Sequence, residues 1–207
     1  MTSRAAVGLA AAGICLSGCD TPRRAVKYPQ GALPVRYQEA TSYSTCLVAS
    51  VAMGANYLLG GHRYSENGIL RAIKQKGLDQ TRVGDLKTYL AGEGLHLVTL
   101  RNCRLAGKPP TGLRWWLEKR GHPVICIINR DPAANPDFQH AVLVIGISAN
   151  PEAGSTDIIY YFDPSSAEPL HATEAEVFEL LWARCDHAMM VVVAPPAGAR
   201  LQEDQPE

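Results

Sequence analysis

The chain has 207 residues, 46% of them hydrophobic, with 20 Lys plus Arg against 20 Asp plus Glu for a formal net charge of zero. That length suits one domain with short ends, and the apolar share is enough to bury a core. A neutral chain with no basic stripe argues against nucleic acid as a partner; the six His and six Cys show no CxxC or HExxH spacing, so no metal and no cofactor is expected.

The N-terminus departs from this ordinary composition. Arg4 precedes the apolar run Ala5 to Leu16, about the length of a signal-peptide core and shorter than the roughly 20 residues that span a bilayer. It ends in Leu16-Ser17-Gly18-Cys19, which resembles the bacterial lipobox. The resemblance implies a lipoprotein signal peptide over 1–18 and lipidation of Cys19. The alternative is a soluble signal peptide with a coincidental cysteine. Acyl chains on Cys19 would hold the domain on a bacterial membrane, facing the periplasm or the cell exterior. Residues 19–34 carry Pro, Arg and Gly without periodicity and read as a tether, and 196–207 as a disordered acidic tail. The folded domain is then 35–195.

Within it, Val48, Val51, Ala52, Ala55, Tyr57 and Leu58 recur at helical spacing after Cys46, and Gly60-Gly61 stops the run. This predicts a buried helix over 46–59, capped by Ser44 or Thr45. Further helices are predicted over Ser65–Lys76, Val83–Glu93 and Thr111–Arg120, closed by Gly77, Gly94 and Gly121. Strands are predicted at Leu95–Leu100 and Val124–Asn129. Ala141–Ile147 is continuously apolar and reads as a strand buried on both faces. Ile158–Phe162 is a further strand, Glu174–Leu181 a short helix and Met189–Val193 a last strand. Helices lead and strands follow, which predicts an α+β domain of N-terminal helices packed on a mostly antiparallel sheet.

Three residues carry chemistry. Cys46 begins a helix, where unpaired amides and the positive dipole end favour thiolate, the reactive form; taken alone it also reads as a small buried core residue. His140 stands where a polar loop enters the strand Ala141–Ile147, placed to act as general base and later as acid; alone it also reads as a surface histidine at a strand edge. Asp163 ends the strand Ile158–Phe162 and can orient an imidazole; alone, Asp163-Pro164 reads as a turn. The ordered combination points to nucleophilic catalysis.

Tyr37-Gln38 followed by Tyr43-Ser44-Thr45-Cys46-Leu47-Val48-Ala49 resembles the glutamine-and-cysteine block of the bacteriocin-processing (double-glycine) cysteine peptidases. His140-Ala141-Val142-Leu143-Val144-Ile145-Gly146 is similar to their histidine block, and Tyr160-Tyr161-Phe162-Asp163-Pro164 to their aspartate block. Phe178 and Trp182 fit the aromatic helix that follows, and Gly121-His122-Pro123 the turn into a central strand. The resemblance covers roughly 35–193. It implies a papain-like fold with Cys46 as nucleophile, His140 as base, Asp163 as orienting residue and the Gln38 amide as an oxyanion donor beside the Cys46 N–H. It departs at Leu47, where the family usually has glycine. The family's best-known members belong to export transporters and cut leaders at a double glycine, so association with a secretion or transport system is an expectation here.

Among the other cysteines, Cys126 lies mid-strand and reads as core, while Cys103 and Cys185 form a candidate disulfide in an oxidising compartment. The remaining histidines read as surface or turn residues, and Trp115-Trp116 as half-buried packing. Three readings follow: a lipid-anchored endopeptidase acting on peptides or small exported proteins, a cell-wall peptide hydrolase, and a non-catalytic peptide-binding or assembly lipoprotein on the same fold.

Overall fold

The computed structural model describes residues 27–195 except 132, 134, 136 and 150–155. Cys19, the signal peptide, the start of the tether and the tail lie outside the described residues.

Small and apolar side chains occupy almost the whole circumference of α1 (Cys46–Leu59), which is buried from Val48 through Asn56. A helix apolar all round belongs inside a domain. Gly60, at φ 64°, ends it in the left-handed conformation. Two amphipathic helices follow: α2 (Glu66–Gln75), which packs on α1 and is capped by Ser65, whose Oγ accepts the Gly68 N–H at 3.1 Å, and α3 (Val83–Gly92), which packs on α2 and on the first strand.

Six strands follow: β1 (His96–Leu100), β2 (Val124–Ile128), β3 (His140–Ser148), β4 (Ile158–Phe162), β5 (Leu170–Glu174) and β6 (Met189–Val193). They form one antiparallel sheet in the order β1-β6-β2-β3-β4-β5. Strand alternation divides the core between the two faces. Ile125, Ile127, Ala141, Leu143 and Ile145 pack with α1, α2 and α3. Val124, Cys126, Ile128, Val142 and Val144 pack with Phe178 and Trp182 of α4 (Ala175–Ala183). The result is an α+β fold with its sheet covered on both sides, and β3 buried from His140 to Ile147.

Four details differ from the sequence reading. The helix expected over 111–120 is a short π-helical turn, Trp115–Lys119. The preceding backbone is already committed: Arg104 N–H donates to Thr111 O at 3.0 Å and Leu113 N–H to Arg104 O at 3.0 Å. Strand β5 was not expected, because Leu-His-Ala-Thr-Glu offers only two apolar residues, one of them small; among the described residues it is an edge strand paired with β4. The Cys103–Cys185 disulfide is not formed. All four described cysteines are free, and Cys103 packs in the α4-side cluster while Cys185 packs in the opposite one. Finally, part of the expected tether is docked, since Leu33 N–H donates to Ile145 O at 2.7 Å and Tyr28 lies edge-on to Phe162 at 6.3 Å.

That docking requires a glycine. At Gly146, beside the irregularity in the β3–β4 register, a Cβ would stand 2.7 Å from Ala32 Cα and 3.0 Å from Gly31 O. Both neighbours are backbone, so Gly146→Ala must displace the strap, and overpacking of this kind costs about 1–3 kcal/mol. A thermal melt should show the loss; an unchanged midpoint would mean that residues 28–34 are not seated on β3.

Candidate active site

Cys46 opens α1 directly after a 3-10 turn, Tyr43–Thr45. The side-chain cap expected from Ser44 or Thr45 is absent from α1. Thr45 Oγ1 instead turns back, donating to Ser42 O at 2.9 Å and accepting the Ser42 N–H at 3.2 Å. The first-turn amides therefore remain available to an anion.

The sheet register brings two further groups to the same end. Ile128 pairs with His140 and Leu143 with Phe162, so the start of β3 and the end of β4 lie together. His140 and Asp163, each with a side chain 1% exposed, meet through Nε2 and Oδ1 at 2.7 Å. Among the described residues the buried His140 Nδ1 makes no hydrogen bond of ordinary geometry, and it is the ring nitrogen that Asp163 does not take. The Ala141 N–H donates to Cys46 Sγ at 3.4 Å. The structure thus brings Cys46, His140 and Asp163 together.

Electrostatics bias all three toward their charged forms. Burial pushes the Cys46 thiol up, but the hydrogen bond and charge of His140 and the amides of Ala141 and Leu47 outweigh it, leaving the thiol below its ordinary value. Burial lowers the His140 pKa, and its hydrogen bonds and charge contacts with Asp163 and Cys46 reverse this to a net rise. Burial also raises the Asp163 carboxyl, yet the hydrogen bond and charge of His140, the Ser165 amide at 2.9 Å and the Arg130 charge hold it below the usual carboxylate range. Its folded pKa lies below the unfolded one. This contact therefore contributes stability above the ordinary carboxylate pKa that is lost as pH falls through the lowered value.

Three side chains here were not found in the sequence. Arg130, just past β2, forms an ion pair from Nη1 to Asp163 Oδ2. Phe138 stacks on the His140 ring at 6.1 Å and 14°, and Tyr43, 63% exposed, flanks it at 6.4 Å. Arg130 and Tyr43 reach their partners across the fold, and Phe138, two residues before His140, carries no pattern that announces its stacking. Tyr37 also contributes: its OH donates to Asp163 O at 3.3 Å and Pro164 O at 3.2 Å, holding the Asp163 turn. Burial first, then the charges of Glu39 and Asp163, push its phenol to about 12, so it stays a donor.

Gln38 is engaged elsewhere than expected. Its Nε2 donates to Tyr64 O at 3.1 Å, and that carbonyl also accepts Asn56 Nδ2 at 2.6 Å. Asn56 lies about 15 Å along α1 from Cys46 at the usual helical rise. The Gln38 amide is thus engaged with the α1–α2 connection rather than left unpaired beside Cys46. An oxyanion donor must stand 2.7–3.1 Å from an oxygen one carbon removed from the nucleophile. Gln38 instead ties the segment before Cys46 to the α1–α2 connection, with Thr41, whose N–H reaches both Glu66 carboxylate oxygens at 3.0 Å. Leu47 is half-buried against the α1-side core.

No family model matches the sequence, and no curated protein does. Solved structures do. A protein of Bacillus anthracis described as a C39-like peptidase superposes with a TM-score of 0.56 at 18% identity, covering 81% of this chain and 99% of that one. The peptidase domain of Streptococcus ComA, a bifunctional ABC transporter of a quorum-sensing pathway, gives 0.54 at 14% identity, covering 78% and 99%. A double-glycine-motif protease from an AMS/PCAT transporter, solved with its leader peptide, gives 0.52 at 17% identity, covering 80% and 96%. At these identities the likeness establishes the fold: this chain has the papain-like fold of the C39 peptidase domains.

Proposed function

We propose that this chain is a cysteine peptidase of the bacteriocin-processing type, held as a lipoprotein through Cys19 and cleaving peptides or small exported proteins outside the cytoplasm. The observation that carries this reading is the buried His140, held by Asp163 on one ring nitrogen with the other left for a thiol of lowered pKa. Thiolate and imidazolium are the reactive pair. In this mechanism Cys46 Sγ attacks the scissile carbonyl, whose electron pair moves to oxygen at the helix N-terminus, where the Cys46 N–H donates to it. Collapse expels the amine, which takes its proton from His140. Neutral His140 then deprotonates water, the hydroxide attacks the thioester, and Cys46 leaves as thiolate. The transporter domains among the similar structures support an export system as the setting and a leader-like peptide as the substrate class.

The test is trapping. Cys46→Ala chain retrieved from its own cells should carry a peptide or small exported protein, identifiable by mass spectrometry, that the wild type cleaves. A captured protein left intact by the wild type contradicts the reading.

The engagement of the Gln38 amide by Tyr64 O favours a second reading, a non-catalytic peptide-binding lipoprotein. In the peptidase reading Gln38 is a loop anchor, so Gln38→Ala should lower turnover of the trapped peptide less than tenfold. Loss of a true oxyanion donor costs on the order of 10²–10³ in kcat. A loss of that size would return Gln38 to the oxyanion site, and a wild type with no turnover would favour the binding protein.

A further inference from the structure

Asp163 is shared. Its Oδ1 meets His140 Nε2, and its Oδ2 meets Arg130 Nη1, whose side chain is 30% exposed. A buried carboxylate alone beside an imidazole would hold the imidazolium strongly and delay proton release. A guanidinium on the far oxygen has two effects. It fixes the carboxylate's rotation, so that one defined oxygen faces the ring, and it offsets part of the negative charge that the ring feels. Arg130 is itself located from a second side, since its Cζ stands 5.9 Å from the centre of the Tyr43 ring, in the turn that leads into Cys46. It therefore joins the Asp163 turn to the segment before the nucleophile.

We infer that Arg130 is a positioning residue that sets the working pH of the site by acting on His140 through Asp163. This rests on the peptidase reading, in which His140 must both accept and release a proton. The charged and titratable groups around the pair are Cys46 from α1, Arg130 from the end of β2 with Asp131 beside it, and Tyr37 and Glu39 from the N-terminal segment, with Tyr43 from the turn. Among these groups Arg130 is the cation bonded to Asp163 besides His140. Removing its charge favours imidazolium, so the His140 titration must move to higher pH; the sign is opposite to that of losing Asp163.

The experiment follows the His140 ring by NMR across pH in the full chain, its signal assigned by its absence from His140→Ala. Arg130→Gln should move the titration up by on the order of one pH unit, and Arg130→Lys should restore most of the wild-type value. A purely structural residue would lower stability and leave the titration where it was, and that result overturns the inference. So does a downward shift, or a shift equally large in Arg130→Lys. Arg130→Ala provides a second uncharged variant; if neither uncharged variant folds, Arg130 is required for folding and the tuning role is overturned. Iodoacetamide labelling of wild-type Cys46 separates the two claims: an inert Cys46 removes the peptidase reading itself, whereas a reactive Cys46 with an unmoved His140 titration removes only the role of Arg130.

Discussion

Cys46→Ala is expected to abolish peptide turnover and to remove the one thiol of the domain that iodoacetamide labels at neutral pH. Loss of the nucleophile in a comparable catalytic unit costs on the order of 10⁶ in kcat. The labelling prediction follows from contrasts within this chain. Cys46 has a lowered pKa, whereas burial pushes Cys103 up to about 11, Cys126 well above its ordinary value and Cys185 also upward. Thiolate is the species that reacts, so at pH 7 the last three should be silent. The measurement is peptide mapping after a short exposure. Label on Cys103, Cys126 or Cys185 in preference to Cys46 would contradict the electrostatic account.

His140→Ala is expected to move the alkylation profile of Cys46 to higher pH. Burial is the largest influence on this thiol and acts upward. Without the hydrogen bond and charge of His140, only the amides of Ala141 and Leu47 oppose it, so the thiol pKa should rise past its ordinary value. Each unit by which the thiol pKa exceeds the pH removes about tenfold of the thiolate, so labelling at pH 7 should fall at least tenfold and recover in alkaline buffer. The wild type should give a different pair of profiles. Alkylation should rise through the lowered thiol pKa and then stay level, while turnover should fall again above the raised His140 pKa, where no imidazolium remains to protonate the leaving amine. Because the two groups are coupled, these limbs belong to the pair. An unchanged alkylation profile in His140→Ala would mean that the ring does not act on the thiol.

What was legible in the sequence was whatever depends on local pattern. The spacing of Val48, Val51, Ala52 and Ala55 marks α1, and glycines at 60, 77, 94 and 121 all adopt positive φ at the stops they were expected to provide. The unbroken apolar run after His140 marks the central strand, and the ends of β3 and β4 meet because antiparallel neighbours must return to the same end. What was not legible depends on contacts between distant segments. Arg130 reaches Asp163 across 33 positions and Gln38 reaches Tyr64 across 26, and nothing near either residue announces its partner. Gln38 shows the hazard most clearly: its place upstream of the cysteine resembles an oxyanion donor, yet its amide is already committed to a backbone carbonyl. Strand β5 escaped notice for a related reason, since an exposed edge strand needs no apolar face.

The central claim is that Cys46, activated by His140, forms a covalent acyl intermediate. The direct measurement is intact-protein and peptide mass spectrometry of the wild type quenched in acid during reaction with a peptide thioester. The account predicts an added acyl mass located on Cys46, discharged by hydroxylamine and absent from Cys46→Ala. An adduct on another residue, or none while the ester is consumed, would contradict it.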